Sequence, residues 1–150
     1  YFPKICSTHT FSDKLATLKN VKEVGLKICS GGIIGMGETL KDRISMAFSL
    51  AKAGADSIPV NILMPVKGTP LADVETLSEP EILRSIAIFR YINPTADIRV
   101  AAGRKFFTDG GKKAFTSGAS AVITGNMVTT SGSTTVSMDK KMFEELGRTI

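Results

Sequence analysis

Apolar residues recur every three or four positions in several stretches of this chain, and short apolar runs separate those stretches. The first pattern predicts amphipathic helices over residues 12–24, 39–53, 79–91, 111–116 and 138–146. The runs between them predict β-strands, the first ending at Cys29 and the others over residues 57–63, 97–101 and 119–124. Helices and strands therefore alternate along the whole chain.

Capping signals and apolar faces support the helix assignments. Ser12 is the candidate N-cap of the first helix. Thr39 with Asp42 is typical of a helix start, and Gly54 is typical of the end of the same helix. The positions predicted to face the core are Leu15, Leu18, Val21 and Val24 in the first helix, Ile44, Ala47, Phe48 and Ala51 in the second, and Ile82, Leu83, Ile86 and either Phe89 or Arg90 in the third.

Strict alternation of strands and helices favours a parallel sheet, because parallel strands need crossover connections. The repeated order of helix, glycine and apolar strand indicates an α/β fold, a partial (βα)8 TIM-type barrel with outer helices, in preference to a doubly wound sheet. About four strands make only half of such a barrel. Because a half-barrel leaves two strand edges open, either the remaining strands lie upstream or two copies associate.

The bulk composition narrows the class further. A chain of 150 residues with 43% hydrophobic composition has room for one core, which predicts one compact unit. The net charge of +5 comes from scattered Lys and Arg, so we expect no nucleic-acid partner. No apolar run reaches the roughly 18 to 20 residues of a bilayer span, so we expect no membrane association. Two cysteines without a signal peptide favour the reducing cytoplasm.

Polar groups accompany the predicted strands at the end where barrel enzymes carry their active sites. Four glycines follow Cys29, the first of these groups, and leave room for a bulky ligand to approach the backbone. The stretch has neither the Lys and Ser/Thr of a P-loop nor the spacing of a dinucleotide-binding motif. The candidate site residues are Cys29, Asn61, Arg99, Asn126, Thr129 and Thr130, and the glycines are Gly31, Gly32, Gly35 and Gly37.

Each candidate also has a purely structural explanation. Cys29 would serve equally as a small buried hydrophobe, and Asn61 as a turn-capping residue. Arg99 would form a surface ion pair, and Thr129 with Thr130 would simply begin a polar loop. Composition and spacing leave these alternatives open.

Several longer motifs, taken together, are far more specific. They read K-I-C-S-G-G-I-I-G-M-G-E-T, I-P-V-N-I-L-M-P-V-K-G-T-P-L, I-R-V-A-A-G-R and G-N-M-V-T-T, after an opening Y-F-P-K-I-C-S-T-H-T. In this order and at these separations the chain resembles, over essentially all 150 residues, the C-terminal half of the biotin synthase family. Members of that family are radical S-adenosylmethionine enzymes on a (βα)8 barrel that insert sulfur into dethiobiotin to form biotin.

The resemblance implies two iron-sulfur clusters, a [4Fe-4S] cluster that cleaves S-adenosylmethionine and an auxiliary [2Fe-2S] cluster that supplies sulfur. Cys29 matches a cysteine ligand of the [2Fe-2S] cluster, and Arg99 matches an arginine ligand of the same cluster. A thiolate is the expected ligand type for such a centre. Nothing in spacing or composition indicates that Arg99 is a metal ligand, because a protonated guanidinium offers hydrogen-bond donors only.

The same resemblance implies roles in substrate and cofactor binding. Asn61 matches an asparagine that lines the dethiobiotin pocket, and Thr129 and Thr130 match threonines that meet the substrate carboxylate. Ile33 and Ile34 fall where the family packs the adenine of S-adenosylmethionine. The family likeness also implies a homodimer for the intact enzyme.

The chain departs from the family pattern in one respect. It contains no C-x-x-x-C-x-x-C motif for the [4Fe-4S] cluster and no further cysteine ligands of the [2Fe-2S] site, and Cys6 does not replace them. The expectation is therefore a truncated biotin synthase that lacks its N-terminal half and is inactive alone. The alternatives are a related radical enzyme and a non-catalytic half-barrel that binds an anion or pairs with itself.

Overall fold

A computed structural model describes residues 1–125 and 134–148. Its helices are α1 (Phe11–Glu23), α2 (Leu40–Ala53), α3 (Glu79–Ile92), α4 (Lys112–Thr116) and α5 (Val136–Glu145). Its strands are β1 (Gly32–Ile34), β2 (Ser57–Ile62), β3 (Asp97–Val100) and β4 (Ala121–Val122), and two short 3-10 turns span Phe2–Lys4 and Arg104–Phe106. Within the described residues, none of these helices is both long and apolar enough to cross a bilayer.

The four strands of the described residues form one parallel sheet in the order β1-β2-β3-β4. Each strand pairs with its neighbour in sequence, and the strand order never reverses. A doubly wound sheet would contain such a reversal, whereas a barrel adds strands in one direction. The sheet order therefore confirms the predicted fold class, four parallel strands of a partial α/β barrel with outer helices.

The core lies between the helices and one face of this sheet. Along β2 the residues alternate strictly between buried and half-buried positions, as expected when only one face is covered. The largest fully buried side chains come from the strands and from α3, and they are Ile34, Ile58, Val60, Ile98, Val100, Ile82, Ile86 and Phe89. The core positions predicted for the third helix are confirmed, with Leu83 partly buried against the same cluster, and of the two alternatives Phe89 is buried whereas Arg90 is half-buried.

Side-chain caps fix where the first two helices begin. The Thr39 hydroxyl accepts a hydrogen bond from the Asp42 N–H at 3.2 Å, which confirms the predicted start of α2. In α1 the cap is Thr10, whose hydroxyl accepts from the Asp13 N–H at 3.1 Å, so Ser12 as N-cap is wrong. Thr10 is the N-cap because Asp13 lies three residues after it, and the Asp13 carboxylate accepts the Thr10 N–H in return.

The predicted inner face of α2 is rotated. Phe48 is 59% exposed and Ala51 is exposed, while Arg43, Ala47 and Leu50 are buried. The apolar periodicity predicted the wrong face because a charged residue, Arg43, lies among the buried positions of α2. The predicted inner face of α1 is also wrong at two positions, since α1 has no fully buried residue and Leu15 and Val24 are exposed.

Candidate functional site

The face of the sheet turned away from the helices carries the candidate groups. Residues of neighbouring strands that stand directly opposite each other point to the same side, and Ile33 pairs with Asn61 while Pro59 pairs with Arg99. Cys29 stands opposite Ser57 in an isolated parallel bridge that continues the same register. Cys29, Arg99 and Asn61 therefore lie on one face, which we call the inner face because it would line a closed barrel.

These groups lie at different heights on the inner face, measured along the direction of the strands. Cys29 is level with the first residue of β2, Arg99 lies two residues further along, and Asn61 two residues beyond that. The expectation that all of them sit at the C-terminal tips of their strands is wrong for Cys29 and Arg99. The predicted first strand ended at Cys29, but β1 begins three residues later, at Gly32.

Close backbone approach explains where β1 lies. A Cβ atom at Gly31 would collide with the carbonyl oxygen of Pro59, so only glycine allows the chain to approach β2 at this level. Gly35 and Gly37, beyond the strand, have φ angles of 88° and 92°, in the region that favours glycine. The glycine-rich stretch thus serves close strand pairing first and the turn into α2 second.

Cys29 and Arg99 line a common cavity of about 640 Å³ at the N-terminal ends of the strands, together with Ser57 and Asp97. The Cys29 thiol is exposed, and Arg99 is half-buried. Within the part of the chain that the structure describes, the Arg99 guanidinium has no hydrogen-bond or ion-pair partner, Asp97 included. The Ser57 hydroxyl is buried and likewise finds no partner among the described residues.

Asn61 is held in place by the two strands that flank it. Its Oδ1 accepts the Ala102 N–H at 3.1 Å, and its Nδ2 donates to the Gly32 carbonyl at 3.4 Å. A carboxamide has two N–H groups and two acceptor lone pairs, so half of its hydrogen-bonding capacity stays available on the inner face. This side chain can therefore present both a donor and an acceptor in a fixed orientation.

The two isoleucines of β1 point to opposite sides. Ile33 is 43% exposed on the inner face and lines an apolar cavity of about 620 Å³ between β1, α1 and α2. Ile34 has no exposed surface and belongs to the core beneath the helices. Of the pair, only Ile33 offers side-chain surface to a ligand.

Sequence reasoning missed a buried ion pair that shapes the loop between β1 and α2. The Glu38 carboxylate accepts the N–H groups of Gly35 and Met36, both at 2.7 Å. Arg43 of α2 donates to the same carboxylate at 2.7 Å and also reaches Ser85 of α3. The signal in the sequence was a glutamate placed directly after Gly-Met-Gly, with an arginine five residues later.

A second missed cluster joins the end of β3 to α5. Arg104 forms a buried ion pair with Asp139 at 2.7 Å, and Thr134 bonds to both partners. Burial alone would raise the pKa of Asp139, but hydrogen bonds from Arg104, Thr124 and Thr134 lower it below its ordinary value. The signal was an arginine directly after the Ala-Ala-Gly turn of the third predicted strand.

Thr129, Thr130 and Asn126 lie outside the described residues. The described chain stops at Gly125 and resumes at Thr134, where the Gly125 N–H donates to the Thr134 carbonyl at 3.2 Å. In the described residues no group of three or more His, Cys, Asp or Glu side chains could hold a metal ion. On the described part of the inner face, Cys29 alone supplies a thiol.

The sheet order and the outer helices define the class of protein, part of an α/β barrel. The family model for the Biotin and Thiamin Synthesis associated domain matches residues 59–149, and the chain belongs to this family. A crystal structure of methylornithine synthase (PylB) superposes with a TM-score of 0.74 over 94% of this chain and 45% of that one, at 17% identity. That likeness supports the fold alone.

Curated biotin synthases are similar along the whole chain, which confirms the resemblance expected from the sequence motifs. The identity is 55% over 146 residues for Alkaliphilus metalliredigens, 57% over 149 residues for Clostridium beijerinckii, and 49% over 150 residues for biotin synthase 2 of Corynebacterium diphtheriae. These alignments cover 97% to 100% of this chain but only 45% to 47% of the relatives. The chain thus spans about half the length of the curated relatives it matches.

Proposed function

We propose that this chain is the C-terminal half of the barrel of a biotin synthase, a radical S-adenosylmethionine sulfurtransferase that converts dethiobiotin into biotin. The similarity to curated biotin synthases supports the reaction. The observation that carries the proposal is the inner face itself, where a thiol just before β1, a carboxamide on β2 and a guanidinium on β3 point to the same side of the sheet.

The groups around Cys29 fit part of an iron-sulfur site. When bound, a [4Fe-4S] cluster with S-adenosylmethionine supplies the radical that removes hydrogen from dethiobiotin, and a [2Fe-2S] cluster supplies the sulfur atom. Among the described residues, an exposed thiol, an unpartnered guanidinium and an unsatisfied buried hydroxyl share one cavity, a combination that suits a thiolate-held anionic group. We assign Cys29 as a ligand of the auxiliary [2Fe-2S] cluster, and the [4Fe-4S] ligands to the other half of the barrel.

Arg99 is proposed as the second ligand in this chain, on the strength of the family likeness. In its ordinary protonated form the guanidinium contributes positive charge and N–H donors only. Both properties favour a negatively charged group in the cavity that Arg99 shares with Cys29, because opposite charges attract. Whether as a ligand or only as a positive charge, Arg99 therefore favours an anionic sulfur group in the cavity.

Asn61 is proposed to bind the ureido group of dethiobiotin, with its free N–H directed to the carbonyl and its free lone pair to an N–H. Thr129 and Thr130 are proposed to donate hydrogen bonds to the substrate carboxylate. Ile33 is proposed to pack against the adenine of S-adenosylmethionine, with Ile34 supporting β1 from the core side. These roles assign one polar end of an elongated substrate to Asn61 on β2 and the other to Thr129 and Thr130, which lie outside the described residues.

We further propose that the intact enzyme acts in the cytoplasm, where a reducing environment preserves thiolate ligands, and that it is a homodimer. The homodimer rests on the family likeness. Light scattering of the full-length protein at several concentrations tests it, and a mass that stays at one protomer would contradict it.

The full-length protein that contains this chain provides the test of the reaction. It is reconstituted anaerobically with iron and sulfide, then incubated with a reductant, S-adenosylmethionine and dethiobiotin, and biotin is measured by mass spectrometry. We expect biotin to form together with 5′-deoxyadenosine. A reconstituted protein that cleaves S-adenosylmethionine but leaves dethiobiotin unchanged would contradict the proposed substrate.

A further inference from the structure

The Ser57 hydroxyl is a buried polar group that the described part of the fold does not use. The side chain as a whole is half-buried, but its oxygen atom is withdrawn from solvent and has no hydrogen-bond partner among the described residues. An unpaired buried hydroxyl destabilises a fold, so such a group in a native protein needs an explanation. Ser57 is therefore available to a group that the cavity receives.

Backbone pairing fixes the side to which Ser57 points. Its N–H donates to the Ile28 carbonyl at 3.0 Å, and its own carbonyl accepts the Ser30 N–H at 3.0 Å. Ser57 therefore stands directly opposite Cys29. Residues paired in this way point to the same side of a sheet, and neighbouring strands are only about 4.8 Å apart. The hydroxyl and the thiol thus lie side by side on the inner face.

The other polar groups of this cavity leave the Ser57 hydroxyl unpaired. Asp97 is paired with Ser57 in the register of β3, but its Oδ1 accepts the Ser120 hydroxyl at 3.1 Å. Arg99, two residues further along β3, lines the same cavity, and its guanidinium has no partner in the described part of the chain. Two unpaired donors, a hydroxyl and a guanidinium, therefore share the cavity with the Cys29 thiol.

We propose that Ser57 is a positioning residue for the sulfur-supplying group, and that its hydroxyl donates a hydrogen bond to sulfur held at Cys29. This role rests on the proposed function, since it takes Cys29 as a ligand of the [2Fe-2S] cluster. Hydrogen bonds to the sulfur atoms of a cluster help to set its reduction potential. They favour the reduced form, which carries more negative charge, so Ser57 raises the potential without being a ligand.

The test is a redox titration of the [2Fe-2S] absorption in the full-length protein after anaerobic reconstitution. Ser57→Ala removes the hydroxyl and leaves Cys29 and Arg99 in place. At the wild-type midpoint potential we expect the ratio of reduced to oxidised cluster to fall about tenfold in this variant, a shift of about 59 mV to lower potential. Resonance Raman spectra in water and deuterium oxide report the hydrogen bond directly, and the isotope shift of the Fe–S bands should be smaller in Ser57→Ala.

Two further variants separate this role from a contribution to stability. Ser57→Thr keeps the hydroxyl and is expected to keep the wild-type potential. Ser85→Ala removes a buried hydroxyl on the helix side of the sheet, where it donates to the Glu81 carbonyl at 2.8 Å and accepts from Arg43. We expect Ser85→Ala to lower the melting temperature and to leave the potential unchanged. Ser57→Ala should not lower the melting temperature of the cluster-free protein, because it removes a group that has no partner there.

Each result bears on one of the two proposals. A potential and an isotope shift in Ser57→Ala that match the wild type would overturn the role of Ser57 and leave the proposed function intact. An equal loss in Ser57→Thr would overturn it as well. If Ser57→Ala takes up no cluster, retention of the cluster by Ser57→Thr supports the role, and its loss from both variants contradicts it. A wild-type protein that takes up no [2Fe-2S] cluster would overturn the proposed function, and the role of Ser57 with it.

Discussion

Asn61 combines a structural and a proposed binding role within one side chain. Its amide joins β1 to the end of β3, and it still presents one donor and one acceptor to the inner face. A ligand that replaced water at this amide would meet a group whose orientation is already fixed. Preorganisation of this kind lowers the entropic cost of binding.

Replacing Asn61 by Ala should weaken dethiobiotin binding by about 1 to 3 kcal/mol, because the ureido group then loses its hydrogen-bond partner. The matched control is Asn93→Ala. Asn93 is buried on the helix side, where its amide donates to the carbonyls of Ala47 and Phe89, so its loss should reduce stability only. Titration of both full-length variants with dethiobiotin checks the prediction, and equal affinity of Asn61→Ala and wild type would remove Asn61 from the pocket.

At the scale of single residues, the sequence could predict which side chains share a face but not their heights. Period-two alternation places Asn61 and Arg99 on the same side of their strands, as the structure has them. The height of Cys29 depends on where β1 begins pairing, and that is set by the contact between Gly31 and Pro59. Because these two residues are 28 positions apart in the sequence, the local pattern of apolar residues cannot predict their contact.

At the scale of elements, α3 and α2 differ in how well their faces could be predicted. The inner face of α3 is apolar throughout its buried stripe except for Ser85, and its predicted positions are confirmed. The stripe of α2 includes Arg43, which is buried only because Glu38 neutralises it. A charged residue in a core stripe depends on a tertiary partner, which the hydrophobic period cannot represent.

The link between β3 and α5 makes a prediction for pH dependence. The lowered pKa of Asp139 means that its ionised form stabilises the folded state at pH values above about 4, the ordinary value for Asp, and that this contribution is lost as the pH falls through the folded-state pKa. Asp139→Asn should therefore cost about 3 kcal/mol near neutral pH, because Arg104 stays buried and unpaired. The difference from wild type should shrink on acidification.

Urea denaturation of the full-length protein between neutral pH and acid checks this prediction. The control is Glu145→Gln on the same helix, whose ion pair with Lys112 is 2.9 Å long but solvent-exposed. Exposed pairs contribute less than about 1 kcal/mol, so this variant should remain close to wild type. An Asp139→Asn difference that stays constant or grows as the pH falls would contradict the assigned role of the ion pair.

At the scale of the whole molecule, one face of the sheet is packed and the other is open. The helices cover the face that carries Ile58, Val60 and Ile98, whereas Ile33 and Arg99 remain accessible on the inner face. The chain spans about half the length of its curated relatives, and in the enzyme that we propose the other half of the barrel would close over these groups. The sequence pattern predicted this half-barrel correctly because each βα unit repeats the same local signals.

The proposed site within that closed barrel depends on Cys29 holding the sulfur-supplying cluster. The chain offers its own matched control, since Cys6 is the other free cysteine and lies in the N-terminal segment near His9. The measurement is the absorption spectrum and the iron content of the full-length protein after anaerobic reconstitution, in the wild type and in the Cys29→Ala and Cys6→Ala variants, alongside their rates of S-adenosylmethionine cleavage.

We expect Cys29→Ala to lose the [2Fe-2S] absorption and biotin formation while it retains cleavage of S-adenosylmethionine, and Cys6→Ala to behave like wild type. A Cys29→Ala protein with the full complement of both clusters would contradict the assignment of the inner face as the sulfur-donating site.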